Sequence, residues 1–434
     1  MARVLVMTVG VGKPENRAGY LEALRKSVRE SHPERVVLLC TAESREIAGA
    51  AAGSCPPGIA CQVREMAGGD DLERAFTEAN ALLDQLVGEG LLLEEVKLDF
   101  TFGTKAMTGG VLLAAIGRRI GSLQYVSGER GPDGLVKSGR ERVTAFTPGR
   151  ILASSDLELA RRMVRDKLMF RPAALLLERL LRDDLLVGAE RDEAQALHAA
   201  ACAYDAWDRF RYAEAMANQG AALKPEVPSL AFLRCSGETL NRLGALKSTT
   251  RDDGQKLPKP PKPTVNLLAD LVSNAARRAQ EGAFDDAVAR LYRATEMLAQ
   301  LRLEGRGLKT DDLDVARLPS GLREKYEALR EDGPKGKVKL GLRKAYDLLC
   351  DLDDPLGRDF AQATGLDRAL QKRNQSLLAH GLRPVGESDY NALRDELVAL
   401  ARRTLGEEFD AACRDLTFPW MRAGDAGGVC PERG

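Results

Sequence analysis

The first 147 or so residues alternate strand-like apolar runs with helix-like stretches, and this alternation limits the fold more than any other feature of the chain. Segments 3–8, 36–40 and 96–100 predict strands, because they are short, apolar and rich in β-branched residues. Between them, segment 72–87 predicts an amphipathic helix with its apolar side chains on one face. Such alternation indicates a parallel sheet with helices on both sides, a Rossmann-like α/β fold. Ligands of these sheets bind where the strands end, which places the segments after Thr8, Cys40 and Phe100 at one edge.

From about Ser155 onwards the strand pattern disappears, and the rest of the chain is predicted to be all-α. One break interrupts it at 256–264, KLPKPPKPT, whose four prolines exclude a helix. The predicted organisation has five parts: an α/β domain at 1–150, a helical connecting region at 151–255, a linker at 256–264, an all-α domain at 265–425 and a tail at 426–434.

The charge balance excludes several classes of protein. Lys and Arg number 64 and so do Asp and Glu, so no overall positive field draws the chain onto nucleic acid, and any nucleotide contact must be local. No apolar stretch approaches the roughly 20 residues of a membrane span, and the opening apolar run is too short for a signal peptide. Eight cysteines without a CxxC pair, and only three histidines, give no zinc-ligand spacing. We therefore expect reduced thiols, a cytoplasmic location, no metal, no cofactor and no membrane partner.

The most informative segment of the α/β half runs from Asp99 to Gly110, DFTFGTKAMTGG. It leaves a strand, crosses glycine and threonine residues and enters an apolar helix. Gly103 allows a ligand close to the backbone, Thr101 and Thr104 can donate hydrogen bonds, and amides at a helix start favour a phosphate. Lys105 adds a positive charge. Thr104 separates Gly103 from Lys105, so the run is not a Walker A loop. A plain strand–turn–helix connection without a ligand remains the alternative.

This segment resembles the ligand loop of CARF domains, the sensors of accessory proteins in type III CRISPR systems. The run TVGVGKPEN after the first strand and Cys40–Ser44 after the second also resemble loops of that family. The resemblance implies a homodimer with a cyclic oligoadenylate, tetra- or hexa-adenylate, lying across its two-fold axis. A two-fold axis suits a cyclic ligand because one patch is used twice. The residues implied to line the ring are Thr8, Gly10, Thr41, Thr101, Gly103, Thr104, Lys105 and Met107.

The second candidate site is the run Arg373–Gly381, RNQSLLAHG, within a predicted helix that begins near Leu366. Seven positions are about two helical turns, which puts Arg373 and His380 on nearly one face, roughly 10 Å apart. An imidazole can move a proton and a guanidinium can stabilise phosphoryl oxygens, while Asn374 can orient either group. Together they suit RNA cleavage without a metal, through attack of the 2′-hydroxyl. A solvated histidine that closes a surface helix is the plain alternative.

An arginine, a polar residue and a histidine at this spacing resemble the motif of HEPN ribonucleases, with six residues between Arg373 and His380 at the long end of its range. The helix 285–301 resembles the first long helix of such domains. The resemblance implies a composite cleft between two protomers, with single-stranded RNA as the substrate. The chain is thus predicted to be an endoribonuclease activated by cyclic oligoadenylate. Two rivals stay open: a sensor without catalysis that signals through its helical half, and a ring nuclease that degrades its own activator.

Overall fold

The computed structural model describes residues 3–12, 17–130, 136–217, 221–247, 262–331, 336–374 and 382–422. The chain divides into two compact units, residues 1–156 and 157–434. The first is a six-stranded mixed sheet with helices, and beyond its last strand the described residues form helices, connecting segments and isolated bridge residues. The predicted fold class, a Rossmann-like domain followed by all-α regions, is therefore confirmed.

The strands of the first unit lie in the order β3-β2-β1-β4-β5-β6, with β1 to β5 parallel and β6 antiparallel to β5. The predicted strands coincide with β1, β2 and β4 to within one residue at each end. Strands β3, β5 and β6 had no counterpart among the predicted segments. The elements are β1 Val4–Val9, α1 Arg17–Ser31, β2 Arg35–Cys40, α2 Arg45–Ala52, β3 Ala60–Glu65, α3 Leu72–Gly88, β4 Val96–Asp99, α4 Lys105–Gly117, β5 Ser122–Arg130 and β6 Val136–Phe146.

The central strand β1 is buried on both faces, which the unbroken apolar run of its sequence requires. Its alternate side chains feed two cores. Val4 and Val6 pack with residues of α3 and α4, whereas Leu5, Met7 and Val9 pack with residues of α1 and α2. The predicted helix 72–87 corresponds to α3, which buries Ala75, Ala79, Leu82, Leu83 and Leu86. Leu72 and Phe76, which were predicted on the same face, are about 40% exposed.

Several of the helices that follow pack against the next helix in the chain, as α6 does with α7 and α10 with α11. The chain turns from α10 into α11 at Gly282, whose φ of +77° suits glycine. The helices are α5 Pro148–Lys167, α6 Phe170–Arg182, α7 Gly188–Asp208, α8 Tyr212–Ala215, α9 Gly237–Lys247, α10 Val265–Gln280, α11 Phe284–Glu304, α12 Ser320–Glu327, α13 Leu342–Asp351, α14 Pro355–Gln362, α15 Thr364–Asn374, α16 Glu387–Leu405 and α17 Glu407–Leu416.

Helix α10 is held by a buried carboxylate. Asp270 accepts hydrogen bonds from Trp207 Nε1 at 3.0 Å and from the Tyr212 hydroxyl at 2.6 Å. The Arg277 guanidinium lies 3.5 Å from the same carboxylate and 4.1 Å from the centre of the Phe418 ring. Burial nevertheless raises the pKa of Asp270. These contacts fix α10 against α7 and α8, because a buried charge is tolerated only where partners surround it.

One pair of cysteines differs from the prediction of reduced thiols. Cys55 and Cys61 are joined in a disulfide, so the prediction of reduced thiols is wrong for this pair. The turn from α2 into β3 brings the two residues back together, a closeness that their spacing in sequence did not suggest. Cys40, Cys202, Cys235, Cys350 and Cys413 are free thiols. As for membrane spans, none of the described helices combines the necessary length with an apolar composition.

Candidate functional site

The strand order of the α/β unit creates a crevice between β1 and β4. After β1 the chain continues to β2 on one side, and after β4 it continues to β5 on the other side. Loops that diverge from neighbouring strands in this way form the usual ligand crevice of such sheets. Gly10 follows β1, and Gly103 lies in the loop after β4. A Cβ atom on Gly10 would lie 2.9 Å from the Gly103 amide nitrogen, so the two loops touch backbone to backbone. Any larger residue at position 10 would separate them.

Gly103 is also in close contact with the side chains of Met107 and Thr8. Its φ is +113°, and a Cβ there would lie 3.0 Å from Met107 Cε and 3.4 Å from Thr8 Cβ. Met107 is fully buried in the core, where it supports the loop from beneath. Thr8 is also fully buried, and its hydroxyl has no hydrogen-bond partner among the described residues. An unpaired buried hydroxyl costs free energy unless a ligand or water completes it, which makes Thr8 a candidate contact.

The hydroxyl of Thr101, in contrast, is engaged inside the protein. It donates to Asp99 Oδ1 and accepts from the Val126 amide at 2.7 Å. Asp99 is itself fully buried and also accepts from Ser27 and from Gln124 Nε2, the latter at 3.2 Å. Thr101 therefore shapes the loop after β4 and has no hydroxyl donor left for a ligand. The supporting roles of Ser27 and Gln124 were missed, since they lie 72 and 25 positions from Asp99.

Thr104 is the N-cap of α4. Its hydroxyl accepts from the Met107 amide at 3.1 Å and donates to the Gly69 carbonyl. The backbone amides in the first turn of a helix have no partner within the helix. The Thr104 side chain accepts from the Met107 amide, and the amides of Lys105 and Ala106 remain available to a ligand. Lys105 itself is exposed at the start of α4. A helix start with an adjacent lysine is a site for an anion such as a phosphate.

Two further loops complete the crevice. The Thr41 amide donates to Ser44 Oγ at 2.9 Å, and Ser44 donates to the Val9 carbonyl at 2.8 Å. A Cβ atom on Gly69 would lie 2.6 Å from the Thr41 γ-methyl group, so the loop after β2 packs against Gly69. The carbonyl of Gly69 also accepts the hydrogen bond from Thr104. The structure thus gathers all eight predicted ligand residues around one crevice, with Thr8 and Met107 beneath its surface.

Tyr20 is a residue of this site that the sequence did not reveal. Its hydroxyl accepts from the Gly10 amide at 2.8 Å and donates to the Gly10 carbonyl at 3.1 Å. Its ring meets Phe102 edge to face at 4.6 Å between centroids. Burial raises the pKa of Tyr20, so the phenol stays protonated and keeps both hydrogen bonds. Tyr20 therefore ties the loop after β1 to the loop after β4.

The second candidate site lies at the end of α15. This helix begins at Thr364, two residues before the predicted start, and Arg373 and Asn374 are its last two residues. The side chains of Arg373 and Asn374, and all of His380, lie outside the described residues. Leu366 and Leu370 are buried, and α15 packs against α11 and α16. The predicted first long helix, 285–301, corresponds to α11.

The described surroundings of this helix end are charged. Lys372 Nζ lies 2.7 Å from Asp389 Oδ1 in the first turn of α16, and this contact lowers the pKa of Asp389. In the part of the chain that the structure describes, no cluster of His, Cys, Asp and Glu has the geometry of a metal site.

Comparisons with known proteins agree with this architecture. Residues 258–404 match the family model described as the Csm6 HEPN domain. The structure of Enterococcus italicus Csm6 bound to cyclic hexa-2′-fluoro-hexa-dAMP matches with a TM-score of 0.52 and 13% identity, over 97% of this chain and 99% of that chain. At this identity the likeness establishes the fold.

Two other comparisons add little. Can2 from Sulfobacillus thermosulfidooxidans in complex with cyclic tetra-adenylate matches 48% of this chain and 67% of that chain at 14% identity, and its TM-score of 0.23 says nothing about the fold. None of the curated proteins is a significant match. Residues 258–404 therefore match the model of the Csm6 HEPN domain, where the motif predicted a HEPN domain, and the chain shares the fold of Csm6 along nearly its whole length.

Proposed function

We propose that this protein is a metal-independent endoribonuclease of type III CRISPR defence, activated by a cyclic oligoadenylate and acting on single-stranded RNA in the cytoplasm. One observation carries the proposal: the Csm6 HEPN match at 258–404 contains the whole Arg373–His380 run. Support for the activator comes from the Enterococcus italicus Csm6 structure, whose ligand is a cyclic hexanucleotide analogue.

The cleavage chemistry follows from the three side chains. The 2′-oxygen of the RNA attacks the adjacent phosphorus as the bond to the 5′-oxygen breaks. His380 transfers the proton between these two oxygens, and Arg373 stabilises the charge on the phosphoryl oxygens. Asn374 orients the substrate or the imidazole. The expected products are a 2′,3′-cyclic phosphate and a 5′-hydroxyl, and the reaction needs neither water nor a metal ion. Two protomers together would form the cleft.

The crevice of the α/β unit would bind the activator. We assign a direct contact to Lys105, through its amide and its ammonium group. The unpaired hydroxyl of Thr8 would meet the ligand once the loop above it moves, because Thr8 is fully buried. Gly10 and Gly103 let the ligand reach the backbone. Thr101 and Thr104 would act differently from the first expectation, because their hydroxyls already donate to Asp99 and Gly69. A local anion site of this kind suits a chain whose charges balance overall.

A homodimer would place two such crevices at one two-fold axis. Helix α4 carries no charged residue between Ala106 and Gly117, and a helix that is apolar all round is normally covered on every side. Yet Leu113 on α4 is 50% exposed, and Leu72 and Phe76 on the adjoining α3 are 42% and 40% exposed. These three side chains would be buried against a second copy, beside the loop that begins α4.

The direct test combines purified protein, labelled single-stranded RNA, a chelator, and a panel of cyclic and linear oligoadenylates. We expect cleavage that depends on a cyclic tetra- or hexa-adenylate, resists the chelator and leaves 2′,3′-cyclic phosphate ends. A rise in melting temperature with one ring size would identify the activator. Binding without cleavage would favour the sensor without catalysis, and linear products from the ring would favour the ring nuclease.

A further inference from the structure

Two charged residues join the helices on either side of the segment that contains His380. Helix α15 ends at Asn374, and α16 begins at Glu387 and packs against α15. Lys372 lies in the last turn of α15 and Asp389 in the first turn of α16. Their side chains meet 17 positions apart in sequence, with 2.7 Å between Lys372 Nζ and Asp389 Oδ1.

The carboxylate of Asp389 has two roles at once. While Oδ1 binds Lys372, Oδ2 accepts from the Gly386 amide at 3.3 Å, which caps the start of α16. A negative charge is also favourable at a helix N-terminus. The Asp389 side chain is 13% exposed and that of Lys372 is 41% exposed, so the contact lies at the edge of the packed interface. The pair thus connects the end of one helix to an already fixed start of the next.

This connection bears on Arg373 because successive residues of a helix are about 100° apart around its axis. Holding Lys372 against α16 sets the rotation of the turn that also carries Arg373 and Asn374. Helix ends otherwise fray within a residue or two. The last side chain of α15 known to be buried is Leu370, two residues before Lys372. The ion pair extends the fixed part of α15 as far as the candidate catalytic arginine.

We propose that Lys372 and Asp389 are a positioning pair for the HEPN site, an inference that rests on the proposed ribonuclease function. A lysine beside a catalytic arginine would ordinarily be assigned to RNA phosphate binding. Here its ammonium group is bound to Asp389, so its role is to hold Arg373 in place. Loss of the pair should therefore lower kcat and leave KM for RNA nearly unchanged.

The test uses the full-length protein with saturating activator. Lys372→Met and Asp389→Asn should each lower kcat by about 10- to 100-fold, the effect of misplacing a reacting group by about 1 Å. Asparagine can still accept from Gly386, so this variant removes the ion pair and keeps the cap. Lys372→Arg should retain most activity. The double variant should be no worse than the single ones, because both remove the same interaction. Lys325→Met is the matched control, since Lys325 lies 2.6 Å from Asp351 in a similar pair.

Hydrogen–deuterium exchange tests the pair without relying on cleavage. In Lys372→Met, the amides at the end of α15 and the start of α16 should exchange faster than in the wild type, and Lys325→Met should leave them unchanged. Unchanged exchange in Lys372→Met would overturn the inference, as would an unaltered kcat or a rise in KM alone. A wild-type protein that never cleaves RNA would overturn the proposed function instead, while exchange would still decide whether the pair fixes the helix end.

Discussion

The two candidate sites of this protein are built from different groups. The crevice of the α/β unit consists of glycines, hydroxyls and backbone amides at the ends of strands, where Gly10, Gly103 and Thr8 approach one another within van der Waals distance. The end of α15 carries long charged side chains, and its described contacts are ion pairs such as Lys372 with Asp389. The first site therefore depends on close approach of the backbone, and the second on charge and on the rotation of a helix end.

This difference shows how far a residue type indicates a role. In the crevice, Thr8, Thr101 and Thr104 all suggested ligand contacts, but two of the three hydroxyls donate within the protein. At the helix end, a lysine next to Arg373 could equally be taken for a phosphate contact, yet Lys372 binds Asp389. In both sites, the polar groups that are available to a ligand can be identified only after the hydrogen bonds and ion pairs within the protein are known.

The largest expected effect separates catalysis from sensing. His380→Ala should reduce activated RNA cleavage by about 10²- to 10⁴-fold, because the general acid–base group is lost. The affinity for the activator should not change, since the crevice lies in the other unit. Cleavage by gel assay and activator binding by calorimetry measure the two properties. His198→Ala on α7 is the control and should keep both. Full cleavage by His380→Ala would remove the histidine from the mechanism.

A smaller effect is expected from the contact between the two loops. Gly10→Ala places a Cβ 2.9 Å from the Gly103 amide nitrogen and 3.0 Å from its Cα, so the backbone must shift. Overpacking of this kind costs about 1–3 kcal/mol. A loss of that size in binding free energy corresponds to roughly 5- to 150-fold in activator affinity.

The matched control for Gly10→Ala is Gly49→Ala on α2, where a Cβ meets no atom within 4 Å. This variant should bind the activator normally and gain roughly 0.5–1 kcal/mol of stability, since alanine favours a helix. Equal affinities in the two variants would show that the loop contact does not shape the site.

Much of the fold, but little of the hydrogen bonding, could be predicted from the sequence. Strands β1, β2 and β4 are apolar runs, so their pattern identifies them without knowledge of their neighbours. Strand β3 was missed because it lies at the edge of the sheet and is largely exposed, and its sequence ACQVRE lacks a buried pattern. The hydrogen bond between the Thr101 hydroxyl and the Val126 amide could not be predicted, because Val126 is 25 positions away and becomes a neighbour only in the sheet.

A third prediction separates a free hydroxyl from an engaged one. Thr8→Val removes a buried hydroxyl without a described partner, so stability should stay equal or rise, while activator affinity falls about tenfold if a phosphate accepts from it. Thr101→Val breaks the bonds to Asp99 and to the Val126 amide, and should lower the free energy of unfolding by about 2 kcal/mol. Thermal unfolding and binding measure both. The opposite pattern, with Thr8 stabilising and Thr101 neutral, would reverse the assignment.

The smallest effect concerns pH, to which the two sites should respond differently. Lys372 lowers the pKa of Asp389 below its ordinary value of 3.8. A carboxyl group whose pKa is lower in the folded state contributes stability above its unfolded pKa and loses it as the pH falls through the folded value. The difference in melting temperature between wild type and Asp389→Asn should therefore be constant near neutral pH and shrink below about pH 4.

The same acidification should leave the difference between wild type and Gly10→Ala flat, because that contact joins backbone atoms that do not titrate. Added salt should likewise weaken only the Asp389 effect, since Lys372 is 41% exposed and its charge is screened. An Asp389 difference that grew as the pH fell would mean that the carboxylate destabilises the fold. The pair could then not be what fixes the last turn of α15, and Arg373 would need another support.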